Sequence, residues 1–171
     1  TYVFDSFQEL LPPTSKDESK FLSLANTRAR LRMTTLYYFA ALEGYLVAGT
    51  GNKIEDFGVG FYTKYGDGGV DLSPIADLMK SEVFLLAKTL GVIESIQNAA
   101  PTDGLWGDDR TDEDQMGATY DELEWAMKNV ESASKNHTER QKEVLFVYKK
   151  LHKQNQHKMQ PIPVCEIPDS L

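Results

Sequence analysis

The run Leu46-Val47-Ala48-Gly49 is the one stretch of this chain that reads plainly as a buried strand, and it stands among helical patterns. That juxtaposition constrains the fold more than any other feature. A single buried parallel strand has no ladder partner, so its backbone N–H and C=O groups would go unpaired. Either further strands are hidden in the irregular segments, or a sheet is completed by polypeptide outside these 171 residues. We expect the second.

Around that run the pattern is mostly helical. From Leu22 to Tyr45, apolar residues recur at three- and four-residue steps (Leu24, Leu31, Leu36, Phe39, Ala40, Leu42), with Gly44 as the stop. Residues 1 to 12 fit a strand end or a short helix, closed by Pro12-Pro13, and 14 to 20 form a polar loop. Residues 51 to 72 hold six glycines without a clean period and read as loops with room for one helical turn. Ser73-Pro74 predicts a helix start, Ser at the N-cap and Pro at the first helical position. Ile75, Leu78, Met79, Val83, Leu86 and Leu90 form its expected apolar face, and Gly91 its end. Thr111 with Asp114, Thr119 with Glu122, and Thr138 with Gln141 are three capping-box starts, so the last third is expected to be helical. Residues 1–158 are expected to belong to one domain, and 159–171, with three prolines, to an extended tail.

Charge narrows the function classes. Eighteen basic against 26 acidic residues give a net charge of −8, which disfavours broad nucleic-acid binding. The lone Cys165 excludes an internal disulfide and a Cys-rich zinc site, and no His cluster stands at ligand spacing. The longest apolar stretch, Leu36 to Val47, is broken by Glu43 and is too short to span a membrane. Thr1-Tyr2-Val3-Phe4 carries neither a signal-peptide pattern nor an initiator Met; a cut start and a cytoplasmic setting are expected.

The polar stretch from Thr50 to Lys80 carries the chemistry: Thr50-Gly51-Asn52-Lys53-Ile54-Glu55, then Thr63-Lys64-Tyr65-Gly66-Asp67-Gly68-Gly69-Val70-Asp71, then Lys80. A core does not need acids, lysines and glycines in that order. A site for a nucleotide, a metal ion and an anionic ligand does. Each residue alone has a plainer reading. Glu55 would be a surface acid, and His137 and His157 surface histidines. Lys80 has only Ala76 and Phe84 at four-residue spacing, so no local ion pair explains it. Arg28, Arg30 and Arg32 alternate, so on a helix they fan around it and cannot all face one ligand. The segment from Trp106 to Asp114 holds five acids in nine residues. It reads equally as a solvated loop or as a lid that closes on a nucleotide.

Taken in order, the motifs resemble one family. Asn26-x-Arg28-Ala29-Arg30-x-Arg32-Met33, Gly49-Thr50-x-Asn52-x-x-Glu55, Thr63-Lys64-Tyr65-Gly66-Asp67-Gly68, Asp71-x-x-Pro74-x-x-x-Leu78-x-Lys80, Ala100-Pro101-Thr102-x-x-Leu105, Thr111-Asp112-Glu113 and His157-Lys158 closely resemble NAD synthetase over nearly the whole chain. The resemblance implies an α/β fold of the ATP-pyrophosphatase type, a Rossmann-like parallel sheet with flanking helices, incomplete in this chain. It also implies a carbon–nitrogen ligase. ATP adenylates the nicotinate carboxylate of deamido-NAD, pyrophosphate leaves, and ammonia displaces AMP to give NAD. Mg²⁺ is the implied cofactor.

By matching position, Thr50, Lys80 and Thr102 are the implied ATP contacts, with Lys80 on the phosphates, and Glu55 the implied Mg²⁺ ligand. Arg30, Lys64, Asp71, His157 and Lys158 are the implied deamido-NAD contacts. Asp67 falls where family members place a group near the ammonia site. A homodimer is implied, with the helix at 26–45 as the expected contact face. The pattern departs at one place. Family members carry a Ser-Gly-Gly-x-Asp-Ser phosphate loop after their first strand, and no Ser-Gly-Gly occurs here. This chain is therefore expected to be the C-terminal portion of a synthetase, inactive alone. No glutaminase segment is seen, so free ammonia is the simpler nitrogen donor, and a glutamine-hydrolysing domain before residue 1 stays open. The rivals are another ATP-pyrophosphatase amide former, such as a GMP synthetase, and a non-catalytic binding module.

Overall fold

A computed structural model describes residues 2–11, 18–102, 104–105, 110–132 and 136–168, the side chains of 18–20 aside. Helix α1 (Tyr2–Glu9) settles the open reading of the first residues in favour of a helix. Its Phe4 is buried beneath the Arg28 guanidinium, 4.3 Å from the ring centroid. Helix α2 (Glu18–Glu43) ends where Gly44 turns to φ +68 and the Tyr45 N–H bonds back to the Ala40 carbonyl at 2.8 Å. That is the six-to-one bond of a Schellman stop. The buried face of α2 is made of small residues, Ala25, Ala29 and Ala40, while Leu36, Phe39 and Leu42 are exposed. Within the expected apolar stripe, then, Ala40 is buried and Leu36, Phe39 and Leu42 form an exposed face.

The apolar run after α2 makes one parallel bridge, Ala48 to Leu72, among the described residues. The Gly49 N–H donates to Leu72 O at 2.8 Å and the Asp71 N–H to Val47 O at 2.9 Å. A π-helix, Ile54–Val59, follows in the glycine-rich stretch and ends at Gly60, whose φ is +65.

Helix α3 runs from Lys80 to Thr89, so the start expected at Ser73-Pro74 is displaced. The cause is tertiary. The Leu78 carbonyl accepts from the Lys53 N–H at 2.8 Å, and Lys53 Nζ holds Asp77 at 2.8 Å. Residues 73–78 are spent on turns, Ala76 bonding back to Ser73 and Leu78 to Ile75. Met79 is extended (ψ 160), and the Glu82 carboxylate takes its N–H at 2.7 Å. Lys80 therefore opens a helix instead of sitting in the middle of one.

Helix α4 (Glu94–Gln97) is short. Helices α5 (Asp112–Met116), α6 (Tyr120–Asn129) and α7 (Glu139–Met159) each begin at the expected capping box. The core lies where α6, α7 and the π-helix meet: Ile54, Val59, Met116, Leu123, Ala126, Val144 and Tyr148 are all buried. Residues 160–168 carry no regular structure, and Met159, placed in the tail by the sequence, ends α7. No helix among the described residues is long and apolar enough to cross a membrane.

Candidate active site

The site begins with Asn52, which is 2% exposed. Its Oδ1 accepts from the Ile54 N–H at 3.0 Å and the Glu55 N–H at 3.1 Å, launching the π-helix. Glu55 answers by accepting the Asn52 N–H on Oε2 at 3.1 Å. A π-turn widens the backbone spiral, and such turns mark functional sites. Here the wider turn sends the Glu55 side chain inward, where only 14% of it meets solvent.

Glu55 meets two groups there. Lys80 Nζ donates to Oε1 at 3.0 Å, and the Tyr120 hydroxyl donates to the same oxygen at 2.6 Å. The Lys80 ammonium also lies over the Tyr120 ring, 4.6 Å from its centroid. Asp112 Oδ2 is 3.3 Å from the same hydroxyl. Burial, then the negative charge of Glu55, push the Tyr120 phenol well above its ordinary value, so it stays a proton donor. Behind Lys80, the buried Glu124 accepts from the Ser81 N–H and Oγ, both at 2.8 Å, fixing the first turn of α3 to α6.

The second half of the site is the loop from Thr63 to Asp71. Asp67 Oδ1 accepts the Thr63 N–H at 3.0 Å, and Thr63 Oγ1 donates to Asn26 on α2 at 2.6 Å. Arg30 donates through Nε and Nη2 to the Lys64 carbonyl at 3.2 Å, and Lys64 Nζ to the His157 carbonyl at 2.6 Å. Arg30, Lys64 and His157 are thus brought into one chain of contacts. Arg28 and Arg32, one turn apart, bond the carbonyls of Leu105 and Gly104. Two members of the fan thus hold the carbonyls at 104 and 105, while Arg30 holds that of Lys64, and of the three only Arg32 lines a cleft. Asp71 lies apart from this chain: its oxygens accept from Tyr37 Oη at 3.0 Å and the Val47 N–H at 2.8 Å.

Lys158 Nζ donates to the carbonyls of Gly60 (2.8 Å) and Tyr62 (2.7 Å), and burial lowers its pKa. It belongs to a comb on α7. His152 Nδ1 lies 2.7 Å from the Gly58 carbonyl and Asn155 Nδ2 donates to the Val59 carbonyl at 2.8 Å. Residues three apart on one helix face thereby satisfy the carbonyls where the π-helix ends.

Two clefts open on this framework. One, of about 310 Å³, is largely apolar and is lined by Ala29, Met33, Val47, Thr50 and Asp67 among others. The other, of about 220 Å³, holds Thr50, Glu55, Asp56, Tyr62, Asp67 and Lys158. Thr50 and Asp67 border both. Asp56 leans over Gly51 so closely that a Cβ there would lie 2.2 Å from its Oδ1. Burial, then Glu55 and Asp67, push its carboxyl up to about 6. The same cleft pushes Tyr62 up to about 12, burial first. Thr102 is exposed and lines neither cleft. Of the acidic segment at 106–114, residues 106–109 lie outside the described residues, while Thr111 to Asp114 cap α5.

The NAD synthase family profile matches residues 3–162. The chain belongs to the NAD synthase family. Its curated relatives include the NH(3)-dependent NAD(+) synthetase of Carboxydothermus hydrogenoformans, 45% identical over 82% of this chain and 54% of the relative. The enzyme of the same name from Mesoplasma florum is 48% identical over 71% of this chain and 49% of the relative. The chain thus spans about half the length of the curated relatives it matches. Among solved structures, an NMN synthetase from Francisella tularensis superposes with a TM-score of 0.78 at 31% identity, covering 99% of this chain and 64% of that one. An NH3-dependent NAD synthetase from Campylobacter jejuni gives 0.70 at 27%, covering 96% and 62%. The fold is therefore that of NAD synthases, although the sheet is represented among the described residues by a single parallel bridge.

Glu55 and Lys80 both stand in the NAD synthase motifs, but nothing in their spacing shows that they meet. Tyr120 and Asp56 carried no signal as site residues, and Asp112 stood in a motif without an assigned role. Only the capping box at Thr119 pointed near Tyr120, and it pointed to a helix start, not to a hydroxyl aimed at Glu55.

Proposed function

We propose that this NAD synthase chain forms part of an ATP-dependent ligase that amidates deamido-NAD to NAD. The observation that carries the reading is the pairing of Glu55 with Lys80 beside Thr50 and Asp67, which border both clefts. The reaction needs those charges. The nicotinate carboxylate attacks the α-phosphorus of ATP, forming an acyl adenylate and expelling pyrophosphate. Ammonia then attacks the acyl carbon, AMP leaves, and one proton is lost from nitrogen. Two polyanions must approach each other, which calls for cations aimed at the phosphates.

The residues fit a Mg²⁺ ion. Among the described residues no group of three or more His, Cys, Asp or Glu forms a self-sufficient metal cage. Mg²⁺ does not require one, because it takes one or two carboxylates and fills its shell with water and substrate phosphate oxygens. Glu55 would hold it, and the bound ion would neutralise phosphate charge. On this reading Lys80 turns from Glu55 to the ATP phosphates, and Thr50 and Thr102 contact the nucleotide. Arg30, Lys64, Asp71, His157 and Lys158 serve deamido-NAD. In the present geometry Lys64 and Lys158 act through the carbonyls they hold. Asp67, bordering both clefts, accepts a proton from ammonium or only holds that ion near the reacting carbon.

The same reading places a parallel sheet and a phosphate loop in polypeptide outside these 171 residues. It also makes the enzyme a cytoplasmic homodimer, with the exposed apolar face of α2 as its contact.

The test is AMP release from ATP by the intact enzyme, with deamido-NAD and ammonia supplied. Glu55→Gln should abolish it while the fold survives; full activity in that variant would refute the metal assignment. The likeness to a protein named NMN synthetase supports a second reading, in which the acceptor is the mononucleotide acid. Comparing kcat/KM for the two acceptors decides between them. Turnover of a purine nucleotide instead would point to a GMP synthetase-like ligase. Binding of deamido-NAD without AMP release would mark a non-catalytic module.

A further inference from the structure

Tyr120 is fixed at three levels. The residue is 5% exposed and packs in the core with Met116 and Leu123. Its N–H donates to Glu113 Oε1 at 2.9 Å, and the Thr119–Glu122 capping box begins α6 at this residue. Only the hydroxyl leaves the core, and it points at Glu55 Oε1 at 2.6 Å. A phenol has one proton to give. Of the two carboxylate oxygens within reach, the nearer belongs to Glu55 and the farther, at 3.3 Å, to Asp112.

The Glu55 carboxylate is therefore held on both oxygens, Oε2 by the Asn52 N–H and Oε1 by Lys80 and Tyr120. Each carboxylate oxygen has two lone pairs. If Lys80 turns away to a phosphate, the lone pair it leaves is open to another ligand, while Tyr120 keeps the other. We propose that Tyr120 is a positioning residue that orients the Glu55 carboxylate for a divalent cation. This rests on the reading of Glu55 as the metal-holding carboxylate.

The test uses Mn²⁺ alone as the probe, titrated into the full chain and followed by the electron paramagnetic resonance signal of the free ion. The unmodified protein, Tyr120→Phe and Glu55→Gln are compared at a temperature well below unfolding. Phenylalanine keeps the ring in the core and removes only the hydroxyl. Loss of an outer-shell partner typically weakens metal binding by about 10- to 100-fold. We expect Tyr120→Phe to raise the Mn²⁺ Kd at least about tenfold, with its unfolding midpoint little changed. A purely structural role would leave the Kd alone. Weakened binding in Glu55→Gln with normal binding in Tyr120→Phe overturns the role of Tyr120 and spares the metal reading. No effect in Glu55→Gln, or no Mn²⁺ binding by the unmodified chain, overturns the metal reading and this inference with it. If Tyr120→Phe does not fold, the tyrosine difference absorption on adding Mg²⁺ replaces it. A signal present in the unmodified protein and lost in Glu55→Gln supports the proposal, and no signal overturns it.

Discussion

Gly60 is constrained twice, by its backbone and by its neighbours. Its φ of +65 is a conformation other residues resist, and a Cβ there would sit 2.4 Å from Asn155 Cβ and 2.8 Å from Met159 Cε. Both penalties fall on the junction between the π-helix and α7. Gly60→Ala should cost about 2 kcal/mol or more in urea unfolding. Asp71 offers a softer case. Its carboxylate accepts from Tyr37 Oη and the Val47 N–H, so Asp71→Ala should lower stability by about 1–3 kcal/mol. An unchanged midpoint would show that those bonds contribute nothing. Single residues were the least legible part of the sequence. Glu55 and Lys80 are 25 positions apart, and nothing at helical spacing from Lys80 hinted at its partner. Asn52 stood in a motif without a role, because its work is to cap backbone groups that only the folded chain defines.

Helices show the opposite balance. The three capping boxes at Thr111, Thr119 and Thr138 were legible because each is complete within four residues. Thr138→Ala should therefore cost about 1 kcal/mol, read from thermal or urea unfolding. The start of α3 was not legible, because the Leu78 carbonyl is claimed by Lys53, far off in sequence. A propensity signal at Ser73-Pro74 loses to a tertiary hydrogen bond. Helices α6 and α7 are also tied by Arg140, whose Nε and Nη2 each meet Glu122 at 2.7 Å. That pairing holds the Glu122 carboxyl down to about 2, against an ordinary 4.5. A depressed acid contributes stability above its unfolded value and loses it as pH falls through the folded one. Glu122→Gln keeps the capping box and removes the charge. At pH 7 it should lower Tm by about 1–2 °C, the effect being small because the pair is largely exposed to solvent. The gap between variant and parent should close as pH falls from 4.5 towards about 2.

At the scale of the molecule, the core is gathered at one end. The π-helix, α6 and α7 bury Ile54, Leu123 and Val144, whereas α3 buries no residue and α2 leaves Phe39 and Leu42 more than half exposed. Local stability should follow that division. In hydrogen exchange, the amides of Leu123, Val144 and Tyr148 should be the slowest, and those along α3 markedly faster; uniform protection would contradict the division. Helical content was legible because periodicity is local. A sheet is implied by the sequence only through a deficit, one strand lacking neighbours, and the described residues form one parallel bridge, at Ala48. The pairing of Glu55 with Lys80 has one more consequence. Each side chain is mostly buried, 14% and 19% exposed, so drawing either away strands the other's charge out of water. On the proposed reading, a cation that takes Glu55 frees the lysine for a phosphate, and a phosphate that takes Lys80 frees the carboxylate for a cation. The two ligands are then thermodynamically linked through a single broken contact, each tightening the other by the same factor.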